Sequence, residues 1–199
     1  MHATARTALG RLMALMMTGA LALMATVALS SSVSAEDLEN TSDDVIADIE
    51  AQDWPEYGLG DQHPDIAAAK YLLQEVGFDP HLSEDAPSEF DGKMEASVSA
   101  FQNSRGLEDT GRLDQDTWAA LSGEVFGEWG VGSSSGDAVK AIQFLLNAKF
   151  YAHHEVDGEY TDLTAGAVTE AQEYFDIAAD GIVGPITWRA LVTYDDYDR

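Results

Sequence analysis

One phrase occurs twice in this chain, and that duplication constrains the fold more than any other feature. DGIVGPITWRAL at Asp180–Leu191 has a near-copy, TGRLDQDTWAAL, at Thr110–Leu121, 70 residues upstream. Each copy reads as a tight turn feeding a short helix. Gly181 and Gly111 can take positive φ without a Cβ penalty. Pro185 suits a first helical position, where its missing N–H costs nothing, and Asp114 is a natural N-cap. Trp188 and Leu191, like Trp118 and Leu121, fall on one helix face at i, i+3. These four residues are the expected structural core.

The duplication extends upstream. Residues 89–121 align with 159–191 without a gap, and 8 of the 33 positions are identical: Glu89, Val98, Gln102, Gly111, Thr117, Trp118, Ala120 and Leu121. Earlier still, Ile66, Tyr71, Leu72 and Leu73 pair with Val139, Phe144, Leu145 and Leu146 at an offset of 73. The change of offset puts three extra residues in a loop of the first copy, where insertions are tolerated. Apolar spacing predicts helices over Asp65–Val76, Met94–Arg105 and Asp114–Leu121, then over Asp137–Lys149, Leu163–Phe175 and the end of the second phrase. Val156–Tyr160 reads as a turn that pairs briefly as a strand. The fold class is all-α: two small three-helix bundles in tandem.

Around the bundles the chain divides as follows. Residues 1–35 read as a signal peptide, with Arg6 and Arg11 ahead of apolar Leu12–Leu29 and a small-residue cleavage pattern at Val33-Ser34-Ala35. Retention of that run as a membrane anchor is the alternative. Residues 36–52 read as an acidic flexible leader, 53–123 as the first domain and 124–136 as a Gly/Ser-containing linker. Val125, Phe126 and Trp129 are too apolar for pure spacer. The second domain is 137–193, and 194–199 is an acidic tail.

The ordered set Asp157-Gly158, Tyr160, Thr164, Ala167-Val168, Gln172, Asp180-Gly181, Val183-Gly184-Pro185, Thr187-Trp188 and Leu191 resembles the peptidoglycan-binding domain family of bacterial wall proteins. The first copy matches less fully, through Phe90, Val98, Phe101-Gln102, Gly111, Leu113, Thr117-Trp118 and Leu121. Lys70 stands where the second copy has Gln143, Met94 replaces Thr164, and Pro87-Ser88 replaces Asp157-Gly158. In the second copy Ala171 stands where the family usually has an aromatic. The resemblance implies recognition of a muropeptide in a shallow groove, without catalysis. Mapped here, the implied ligand-binding residues are Asp157, Gly158, Tyr160, Gln172, Asp180 and Thr187, with Phe90, Gln102 and Thr117 in the first copy.

The bland alternatives stay beside these. Buried Gln102 and Gln172 can brace loop backbone instead of meeting a ligand, and the Thr187 hydroxyl can serve as a local cap. Trp54 and Trp129, Tyr160 and Phe90 can cover core or stack on a sugar face. His153-His154 with Glu155 and Asp157 has metal-ligand chemistry but the wrong geometry, since neighbours on extended chain point apart. No metal and no cofactor is expected. HExxH and Cys nucleophiles are absent from the sequence, and the repeats occupy every stretch long enough for a catalytic domain.

Charge narrows the partners. All 36 acidic residues follow Ala35, with 8 of the 10 basic ones; 8 against 36 leaves −28 from residue 36 onward. Such charge opposes nucleic acid and anionic membrane surfaces. There is no Cys, so a thioether-lipid anchor, disulfides and thiolate metal sites are excluded. The reading is a secreted, cell-wall-associated peptidoglycan-binding protein. The alternatives are an interaction module for a basic secreted protein partner and a cell-wall hydrolase.

Overall fold

The computed structural model describes residues 40–83, 85–126 and 136–195. The expected signal peptide, Trp129, most of the linker and residues 196–199 of the tail lie outside them. Among the described residues seven helices and no strand form: α1 (Asp43–Glu50), α2 (Pro64–Glu75), α3 (Gly92–Arg105), α4 (Gln115–Val125), α5 (Asp137–Phe150), α6 (Asp162–Tyr174) and α7 (Pro185–Thr193). Helices α2–α4 are the first repeat and α5–α7 the second. The strand expected at Val156–Tyr160 is replaced by a turn, and the isolated bridges, Tyr57 with Leu113 and Gln62 with Glu89, belong to the first repeat.

Local chemistry starts the helices where the sequence says it should. The Asp114 carboxylate accepts from Thr117 N at 2.9 Å, capping α4, and Pro185 occupies the first turn of α7. Gly111 and Gly181 sit at φ 62° and 72°, in the left-handed region that a side chain would disfavour.

Trp118 and Trp188 are both fully buried, and each is roofed by an aromatic from the segment before its own repeat. Trp54 stacks on Trp118 with centroids 5.7 Å apart. Phe126 stacks on Trp188 at 4.4 Å. Trp54 thus covers core, and Phe126 is its counterpart in the second repeat. The indole donors are satisfied differently. Trp118 Nε1 donates to Pro55 O at 2.8 Å, but Trp188 Nε1 donates to Ser122 Oγ, across the repeat boundary, at 3.1 Å.

The repeats share one core. Ile66, Leu72 and Leu73 of α2 form a continuous apolar cluster with Val139, Ile142, Leu145 and Leu146 of α5 and with both tryptophans. The most extensive helix–helix contact among the described residues is α2 against α5. A buried charge joins the repeats as well. Lys149 Nζ donates to Leu191 O, Val192 O and Tyr194 O at 2.8–3.0 Å, the carbonyls that α7 leaves unpaired at its end. It also lies 2.7 Å from Asp65 Oδ1 on α2. Asp65 Oδ2 accepts from Tyr57 OH at 2.8 Å. Burial pushes the Lys149 amine below its ordinary range while Asp65 pulls it back up.

The leader departs from its expected flexibility. Residues 43–50 form α1, capped by Ser42, and Ile49 packs with Ile177, Ile186 and Ala190 of the second repeat. Thr41 Oγ1 accepts from Ala178 N, and Arg189 Nε donates to Ile49 O. The three aliphatics Val45, Ile46 and Ile49 fall on one helical face, and α7 supplies the surface that makes the helix worthwhile.

Candidate functional site

A single device recurs three times: a helix glutamine whose amide clamps a glycine turn. Gln172 of α6 accepts from Gly181 N through Oε1 at 2.9 Å. Its Nε2 donates to Asp180 Oδ1 at 2.8 Å, Ile182 O at 2.9 Å and Thr187 Oγ1 at 3.2 Å. Gln102 of α3 does the same to the first repeat. Its Oε1 takes Thr110 N and Gly111 N at 3.0 and 2.9 Å, and its Nε2 reaches Thr110 Oγ1, Arg112 O and Thr117 Oγ1. Gln143 of α5 makes the third, accepting from Gly158 N at 3.0 Å and donating to Asp157 Oδ1 and Glu159 O.

The third clamp was not read from the sequence, although Gln143 was named. Its signal is an Asp-Gly pair following a helix glutamine, as Asp180-Gly181 follows Gln172. In the first repeat both halves differ: Lys70 replaces the amide and Pro87-Ser88 the turn. Burial holds the Lys70 amine below its ordinary range, against Asp91 and Glu89, which raise it.

Tyr160 joins the two clamped turns of the second repeat, donating from its hydroxyl to Gly181 O at 3.0 Å. Burial, and then the Asp180 charge, push its phenol well above the usual range. Phe90 holds the equivalent place in the first repeat and is fully buried. Gly158 is hemmed in: at φ 82°, a Cβ there would lie 2.8 Å from Gly136 O at the start of α5.

Gln102, Gln172, Thr117, Thr187, Phe90, Tyr160 and Gly158 are all buried, and the amides among them are occupied by backbone and side-chain groups of their own turns. These residues shape the turns from beneath. Asp157 and Asp180 face solvent, each with one oxygen drawn into its turn. The Glu159 N–H and the Gln143 amide hold the Asp157 carboxyl below the usual range. Above the two clamped turns the carboxylates of Asp157 and Asp180 are exposed. The His153-His154 cluster forms no metal cage: among the described residues no group of three or more His, Asp or Glu could hold an ion. Among them, too, no helix is long and apolar enough to cross a membrane.

Comparison with known proteins gives the repeats a context. The family model described as "Putative peptidoglycan binding domain" matches residues 62–121 and again 135–191. The N-acetylmuramoyl-L-alanine amidase CwlM of Mycobacterium tuberculosis is 29% identical over 147 residues, covering 66% of this chain and 36% of its own length. An uncharacterized protein in the bpoA1 3' region of Kitasatospora aureofaciens is 47% identical over 58 residues, covering 29% of this chain and 49% of its own. The chain therefore spans between a third and a half of these relatives.

Proposed function

The chain belongs to the peptidoglycan binding domain family, and from that premise we propose that it is a secreted, cell-wall-associated protein that binds peptidoglycan without catalysis. Residues 53–123 and 137–193 act as its two modules. The observation that carries this reading is the clamped glycine turn, built in both repeats from amides that fix the loop before a ligand arrives. Pre-formed loops lower the ordering cost of binding.

The second repeat is the better recognition face. Asp157 and Asp180 accept N–H groups of a stem peptide there, while Gln172, Thr187 and Tyr160 act through the turns they hold. Gln102, Thr117 and Phe90 do so in the first repeat, where the second turn has lost its glycine. The amidase likeness fits a binding role, since it covers 36% of that enzyme. The test is sedimentation of residues 36–199 with purified, teichoic-acid-free peptidoglycan. Binding at both low and high salt is expected, and an unbound protein at both rejects the reading.

A second reading rests on charge. With −28 from residue 36 onward, the same surface suits a basic extracellular protein. Such docking weakens steeply with ionic strength, whereas turn recognition of a near-neutral glycopeptide does not.

A further inference from the structure

Where α1, α4 and α7 meet, the repeats enclose a cavity of about 190 Å3. Trp54, Phe126, Ile186 and Trp188 form its apolar walls, and Glu50 and Arg189 supply its charge. The volume is about six waters' share of liquid. It admits one side chain with its terminal group and falls short of the roughly 300 Å3 at which drug-sized ligand pockets begin.

Arg189 is the unusual member. It donates through Nε to Ile49 O at 3.1 Å and through Nη2 to Gln52 O. Its guanidinium carbon lies 4.6 Å from the Trp54 ring centroid. Among the described residues no carboxylate forms an ion pair with it, and the same is true of Lys70, Lys93 and Arg112, whereas Arg105, Lys140 and Lys149 each hold an acid. Held by two carbonyls at the end of α1 and by the Trp54 ring, the guanidinium lines the cavity without an ion pair. Burial depresses it, while the charges of Glu50 and Asp53 raise it.

We propose that this cavity binds the C-terminal residue of a short peptide, its apolar side chain against the aromatic walls and its carboxylate on Arg189. A planar guanidinium suits a carboxylate geometrically, and Glu50 is the acidic residue of the lining that could accept the peptide's own N–H. The overall negative charge does not forbid this, because screening confines distant charges to about 8–10 Å at physiological salt. A wall stem peptide with a free end and a protein tail share this chemistry, and stereochemistry separates them. The site needs the repeat junction and none of the clamped turns, so it stands apart from the wall-binding reading.

The experiment titrates residues 36–199, which include every described residue, with N-acetyl-L-leucine, N-acetyl-D-leucine and N-acetyl-L-leucinamide. Tryptophan fluorescence reports directly, since Trp54 and Trp188 wall the cavity. At least one acid is expected to bind, with the amide at least tenfold weaker; the preferred enantiomer names the source. Arg189→Gln should weaken the acid about tenfold. Because Arg189 also holds α1, the deciding variant is Ala119→Phe, which fills the cavity from an exposed position on α4. It should abolish the response, leave the melting temperature unchanged and still sediment with peptidoglycan. Equal binding of acid and amide, an intact response in Ala119→Phe, or no response to any probe overturns the proposal.

Discussion

Phe126 lies face to face with Trp188, 4.4 Å between ring centroids, and so binds the end of the first repeat to the centre of the second. Truncating it exposes a core that both repeats share. Phe126→Ala should cost about 3–5 kcal/mol and keep a single unfolding transition. Urea melts followed by tryptophan fluorescence and by far-UV circular dichroism should coincide. Two separated transitions would mean that the repeats fold independently.

Removing a clamp should cost more than its surface suggests. Gln172→Leu leaves Gly181 N and Ile182 O without their partner inside the fold, and an unsatisfied buried group costs about 1–3 kcal/mol. Amide exchange at Gly181 should accelerate along with the loss of stability. Unchanged protection there would show that the turn holds itself.

The inter-repeat charge can be taken apart by a double-mutant cycle. Lys149→Met takes the ammonium from the buried Asp65 carboxylate, leaving it Tyr57 and His63, and should destabilise by about 3–5 kcal/mol, as removal of one partner from a buried pair does. Adding Asp65→Asn should restore part of that loss. Strictly additive effects of the two changes would show that the 2.7 Å contact carries no coupling.

Acid should act in two opposite stages. Burial alone would raise the Asp114 carboxyl, but hydrogen bonds from Thr110 and Thr117 outweigh it and hold it low. Asp157 is held low by Glu159 N and Gln143, and Asp109 by Asn103 and Ser99. A carboxyl depressed in the fold contributes stability above its unfolded value near 4 and loses it as pH falls through the folded value. Between about pH 7 and 5, relief of self-repulsion acts the other way. Calorimetry should therefore find the melting temperature rising on mild acidification and dropping below about pH 4. Asp114→Asn should flatten that final drop.

The helices, their caps and the buried tryptophans were legible because they rest on local spacing: i, i+3 pairs, an Asp before a helix, a Pro at its start. The repeat alone located them. What was not legible depends on surfaces distant in the chain. Val45, Ile46 and Ile49 look too sparse for a helix until Ile177, Ile186 and Ala190 are set against them. Only the geometry of the boundary reveals that Phe126 covers Trp188. The candidate site divides along the same line. Its residues were identifiable as a set, but whether an amide faces ligand or backbone depends on where the following turn closes. Even equivalent ends diverged: Arg105 pairs with Glu124 where Phe175 meets Tyr194, and either pairing closes the bundle.

The crowding of Gly158 against Gly136 has an evolutionary side. A methyl at 158 collides with main chain that cannot swing aside, so that position is closed to drift for as long as the Gln143 clamp persists. The first copy has neither amide nor bend, with Lys70 for one and Pro87-Ser88 for the other, and Ser88 shows no positive φ. One half of the molecule thus carries at this bend a steric constraint that the other half lacks.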